Sequence, residues 1–183
     1  MGSIGTVTSS MSIDNFKIEE KKWDARERKN LENAINFMSQ EFGDISDLIG
    51  TIYKRSSINA SGLYDREGFH GRGRATYFDT GGFASEDLAI HEFTHAVTEE
   101  IANHYRELGY KNENEVFSAM RTEVHQNLGK EERKYDGRRW RDRPAEFLSR
   151  NLEGFESNER NHISDESKET LKVIKKWFKK IGR

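Results

Sequence analysis

The sequence predicts an α+β domain: a small antiparallel-rich sheet packed on one central helix, with several further helices around it. Three observations lead there. Apolar residues recur at helical spacing in several segments separated by polar stretches. Residues 55–84 are glycine-rich and hold short β-capable pieces between turn signals. A sheet that small has to be covered on one face by helices. At 183 residues the chain is about one domain long and can bury a core without disulfide or metal staples.

The first helix follows Trp23. Asp24 is its expected cap, Glu27 stands where a capping-box partner belongs, and Leu31, Ala34, Ile35, Met38 and Phe42 recur on one stripe up to Gly43. Residues 45–52 read as a helical turn followed by a strand. Gly62-Leu63-Tyr64 and Ala75-Thr76-Tyr77-Phe78 read as antiparallel strands. Ser85 is the expected cap of a long helix over residues 86–104, with Glu86 and Asp87 at its positive end. Residues 112–129 form the next helix, with Phe117, Met120, Val124 and Leu128 on one side. Pro144 opens another, because a first helical turn tolerates the missing N–H. The last helix carries Leu171, Ile174, Trp177, Phe178 and Ile181. Residues 1–12 read as a flexible leader or tag and 13–183 as a single domain. The start at Met1-Gly2 fits the loose myristoylation pattern, but its Gly, Ser and Thr content suits a plain leader or tag better.

Composition removes several function classes. There is no cysteine, so thiolate metal sites, disulfide frameworks and cysteine nucleophiles are excluded. A net charge of −2 does not favour nucleic acid. No apolar run reaches the length of a membrane span, and no secretory signal opens the chain. Location is left as cytoplasmic or delivered by a specialised secretion route. Residues 130–143 mix basic and acidic side chains around Tyr135 and Trp140, which reads as a solvated loop, able to gate a cleft if mobile. The lysines of the last helix suit a docked terminal helix, with peripheral membrane contact as the weaker alternative. The chain is expected to be a monomer.

One motif carries chemistry. Residues 91–95 read His91-Glu92-Phe93-Thr94-His95, an H-E-x-x-H sequence on a predicted helix. Positions i and i+4 share a helix face, so His91 and His95 can reach one zinc ion, and Glu92 beside them can act as general base on a metal-activated water. Ala89, Phe93 and Val97 make a separate apolar stripe for the core. Thr98 and Ile101 stand where a metzincin would have glycine and histidine, so the third ligand comes from a later segment. Glu146, in the first turn of the helix opened by Pro144, is the best-placed candidate; His125 and Glu123 are alternatives. Tyr135 and His125 are candidate donors to a developing oxyanion, with Arg138 and Arg139 behind them.

The pattern of HEFTHAV on one helix and AEFLSRN on a later one resembles the gluzincin metallopeptidases, most of all the anthrax lethal factor type of catalytic domain and compact metallopeptidase domains of toxins and phages. The resemblance covers roughly residues 75–155. It implies a zincin-like fold, zinc held by His91, His95 and Glu146, Glu92 as general base, and an endopeptidase acting on peptides or proteins. It also implies an edge strand above the cleft for pairing with a peptide; Ala75-Thr76-Tyr77-Phe78 suits that role and an ordinary core strand equally well. Four residues after Glu146, where the lethal factor type is acidic, this chain has Arg150. A different class of function, a noncatalytic partner-binding module with a structural or vestigial metal site, is the alternative. A toxin-like or phage-associated effector would share the peptidase chemistry.

Overall fold

The computed structural model describes residues 16–19, 23–56, 58, 60–67, 73–130, 143–157 and 160–183. The architecture is α+β: six helices and a three-stranded mixed sheet among the described residues. Helix α1 (Ala25–Phe42) leads through the short α2 (Ser46–Ile49) into β1 (Thr51–Arg55), β2 (Gly62–Asp65) and β3 (Ala75–Asp79). Helices α3 (Glu86–Glu107), α4 (Glu113–Asn127), α5 (Pro144–Glu153) and α6 (Asp165–Lys180) follow, with a 3₁₀ turn at Arg160–His162.

The local signals act as the sequence suggests at most helix ends. Asp24 and Glu27 form a reciprocal capping box on α1, and the Asn112 side chain accepts from Glu115 N–H at the start of α4. Ser85 occupies the N-cap position of α3, but its side chain makes no capping bond, and the helix runs a turn further than expected, to Glu107.

The sheet departs from expectation. Its order is β1-β3-β2, with β1 parallel to β3 and only β2 antiparallel. The strand expected at the edge, Ala75–Asp79, is therefore the central one and has no free side. Its burial on both faces agrees: Ala75, Thr76, Tyr77 and Phe78 are all buried. Beyond β1, the segment at Lys17–Glu19 adds a short parallel bridge, with Ile52 N–H donating to Lys17 O at 2.7 Å and Glu19 N–H to Ile52 O at 3.0 Å. One sheet edge is thus covered, and β2 forms the other.

Helix α3 lies at the centre, packed against α1, α4, α5 and β2. Ala89, Phe93 and Val97 are buried as expected, with Ile90 and Ile101 beside them. Leu31, Ile35 and Met38 of α1 and Phe147, Leu148 and Leu152 of α5 close the same core, each large apolar side chain contributing about 1.5–3 kcal/mol by burial. Helix α6 docks through Val173, Ile174, Trp177 and Phe178, and Phe42 meets Phe178 edge to face at 5.6 Å. Its cations pair with the body: Lys175 with Glu41 at 2.7 Å, Lys176 with Glu123 at 2.6 Å and Arg183 with Asp47 at 2.7 Å. The apolar face that membrane contact would need is already inside the core. No helix among the described residues is long and apolar enough to cross a membrane.

Two buried carboxylates fix the start of α3. Glu27 accepts from Lys54 Nζ at 2.5 Å and from Ala84 N–H at 3.0 Å, joining α1, β1 and the segment before α3. Glu86 accepts from Asn33 Nδ2 at 2.9 Å and from the Ser157 N–H and hydroxyl at 2.6 and 2.7 Å, joining α1 to the chain that leaves α5.

Candidate active site

His91 and His95 stand one turn apart on α3, and α5 crosses beside them so that Glu146 enters between the two rings. Nε2 of His95 lies 3.1 Å from Nε2 of His91, Glu146 Oε2 lies 3.6 Å from His91 Nε2, and Glu146 Oε1 lies 3.5 Å from His95 Nε2. Among the described residues this is the group of His and carboxylate side chains able to hold a metal ion.

The alternatives to Glu146 are elsewhere. His125 is buried on α4 and meets the Phe147 ring edge to face at 5.1 Å, on the core side of α5. Glu123 accepts from Trp177 Nε1 at 2.8 Å and from Lys176, facing α6. Neither is among the described residues that line the cleft. Tyr135, Arg138, Arg139, Trp140 and most of the charged loop lie outside the described residues, as does the expected leader at residues 1–12.

The site opens into a cleft of about 460 Å³ running along α3. One wall is the backbone of residues 60–64 at the β2 edge; Leu88, His91, Glu92, His95 and Glu99 form the floor, and Glu146 and Arg150 the far side. Asp79 N–H donates to Ser61 O at 3.1 Å, so the alternation of an antiparallel strand turns the main chain of Gly62 and Tyr64 away from β3. Tyr64 N–H meets the Glu92 carboxylate there. Gly62 passes so close that a Cβ built on it would lie 2.6 Å from Glu92 Oε1.

The electrostatics follow from burial and mutual charge. Burial raises the Glu92 carboxyl above its usual range, against the lowering influence of both imidazoles and Tyr64 N–H. Burial alone would lower His95, but its hydrogen bond to Glu146 and the charges of Glu92, Glu146 and Glu99 outweigh it and hold the imidazole above its ordinary value. The hydrogen bond from His95, with the adjoining positive charge, holds Glu146 down at about 2. Burial pushes Glu99, one turn beyond His95, up to about 7.

Two participants escaped the sequence reading. Glu153 Oε1 lies 2.6 Å from Nδ1 of His91, whose Nε2 faces His95 and Glu146, and Arg150 Nη1 reaches Glu153 at 3.2 Å. Glu153 stands seven residues after Glu146, two helical turns along the same face of α5, and that spacing was the available signal. Glu99 repeats the i+4 spacing of His91 and His95 once more. No family model matches the chain, nor does any curated protein or solved structure.

Proposed function

We propose that the chain is a zinc-dependent endopeptidase of the gluzincin type with a zincin-like fold. The observation that carries this reading is the ligand triangle. The two Nε2 atoms stand 3.1 Å apart, and Glu146 offers Oε2 at 3.6 Å from His91 and Oε1 at 3.5 Å from His95, separations close to the about 3.3–3.6 Å between N and O ligands held at about 2.0–2.2 Å around tetrahedral zinc. Two imidazoles and one carboxylate also form a donor set that leaves the fourth position open, as catalytic sites do. A bound zinc ion supplies a Lewis acid and lowers the pKa of water to near neutrality.

His91, His95 and Glu146 hold the ion, and Glu153 orients His91 by binding its Nδ1–H, which leaves Nε2 as the ligand. Glu92 is the general base: it takes a proton from the attacking water and passes it to the leaving amine. Burial raises its affinity for protons, the direction a proton-accepting base needs. The β2 edge, and not β3, is the rail on which a peptide pairs by main-chain hydrogen bonds through Gly62 and the Tyr64 carbonyl, Tyr64 N–H being held by Glu92, because among the described residues it is the edge that borders the cleft.

The test is metal content and turnover of the purified chain with an unfolded protein substrate. Wild type should hold about one zinc and cleave. Glu146→Ala should lose the metal, whereas Glu92→Gln should keep it and lose turnover by about 10²–10⁴-fold. Equal zinc in Glu146→Ala, or full turnover in Glu92→Gln, overturns the assignment. A folded, zinc-loaded wild type that cleaves nothing points to a partner-binding module instead.

A further inference from the structure

Glu99 lines the cleft on the face of α3 that carries His91 and His95, four residues and about 6 Å past His95. It is partly buried and makes no hydrogen bond or ion pair among the described residues. Its neighbours differ. Glu100 takes Arg74 at 2.6 Å, Glu113 takes Arg66 at 3.1 Å and Arg106 at 3.3 Å, Glu146 takes the two imidazoles, and Glu153 takes His91 and Arg150. The cation nearest to hand, Arg66, is occupied by Glu113 and Asn103. The groups facing Glu99 are His95 on α3, Asp65 and Arg66 at the end of β2, and Glu113 on α4. Burial dominates its surroundings, and the two carboxylates add to it.

A carboxylate drawn partly out of water without a hydrogen-bonded cation is unfavourable, even with His95 and Arg66 facing it, and a cation delivered to it is bound with little competition from solvent. We infer that Glu99 is a specificity residue: it receives the basic side chain, lysine or arginine, of the peptide that the cleft binds. This rests on the peptidase reading above. The strand direction gives the position. β2 runs from Gly62, against Glu92, to Asp65, beside Glu99. A peptide antiparallel to β2 therefore has its N-terminal side at Glu99. At about 3.3 Å per extended residue, 6 Å past His95 places the basic residue within about two positions of the scissile bond, on its N-terminal side.

Two arms test it. In the first, zinc-loaded wild type digests a peptide mixture, and the cut sites are mapped by mass spectrometry. Cuts should be enriched for Lys or Arg within those positions. For a matched pair of peptides bearing arginine or its neutral isostere citrulline, kcat/KM should favour arginine by about tenfold or more. Glu99→Gln should abolish that ratio and Glu99→Lys should invert it. In the second arm, an acetylated, amidated hexapeptide with one arginine, and its citrulline counterpart, are titrated calorimetrically into zinc-loaded Glu92→Gln chain. The arginine peptide should bind about tenfold tighter, and the double variant Glu92→Gln/Glu99→Gln should not discriminate. Cleavage with equal handling of arginine and citrulline overturns this inference and leaves the peptidase reading standing. Discriminating binding without cleavage by wild type supports the Glu99 subsite and overturns the peptidase reading. Absence of both overturns both. The arginine–citrulline comparison uses no variant at Glu99, so it decides even where those variants fail to fold.

Discussion

Gly62 and the Glu92 carboxylate occupy one another's space: a methyl group on Gly62 would stand 2.6 Å from Oε1, 2.8 Å from Cγ and 2.9 Å from Cδ. The carboxylate is buried and tied to Tyr64 N–H, so it has little room to retreat. Gly62→Ala should therefore displace the proposed general base while leaving His91, His95 and Glu146 in place. A displacement near 1 Å at a reacting group costs on the order of 100-fold in rate. The expected result is a kcat lower by about that factor with unchanged zinc content; an unaltered kcat would show that Glu92 does not work from this position.

Glu153 holds His91 through Nδ1 at 2.6 Å without touching the ligand atoms. Glu153→Gln keeps the size of the side chain and removes its charge, and such orienting partners are worth about 10–100-fold in metal affinity. Competition with a chelator should show a loss in that range. Affinity equal to wild type would mean that His91 is oriented by packing alone.

Lys54 and Glu27 form a buried pair whose loss is not local. Glu27→Ala leaves the Lys54 ammonium, the Ala84 N–H and the Asp24 N–H without their partner, so that α1 keeps only the Asp24 half of its capping box. Breaking one side of a buried pair costs about 3–5 kcal/mol. Replacing both members by apolar residues, Glu27→Leu with Lys54→Met, should recover most of that loss. Denaturant unfolding of the two variants checks this, and a double variant no more stable than Glu27→Ala would rule out the unpaired-charge explanation.

Glu123 gives the protein an acid-sensitive contact between α4 and α6. Burial would raise its pKa, but the hydrogen bonds from Lys176 and Trp177, with the Lys176 charge, prevail and hold it below the ordinary value of 4.5. A carboxylate depressed in the folded state contributes stability that is full above its unfolded pKa and is lost as pH falls through the folded one. Stability of wild type should accordingly fall on acidification below about pH 4.5 by an increment of about 1 kcal/mol that Glu123→Gln lacks, since glutamine keeps an acceptor for Trp177 but no charge. Parallel acid limbs for the two proteins in thermal unfolding would remove Glu123 from the account.

The sequence by itself determined the helices and the pair of histidines. Both are local: a capping box closes within four residues, and His91 and His95 share a face because helical geometry places i and i+4 there. Glu146 was legible as a candidate because Phe147, Leu148 and Leu152 claim the core side of α5 and leave it the other. Only the tertiary structure decided the rest. The crossing of α5 over α3 set Glu146 between the rings, turned Glu153 to His91, and left His125 and Glu123 to packing with Phe147 and Trp177. Strand order is likewise nonlocal: Ala75–Asp79 carries the residues of any buried strand, and its pairing with β1 on one side and β2 on the other is what moved the free edge to Gly62–Asp65. Periodicity fixes which face a residue shares with its near neighbours along the chain, whereas the partner on the opposite element depends on packing between segments distant in sequence, and the cleft that Glu99 lines exists only at that junction.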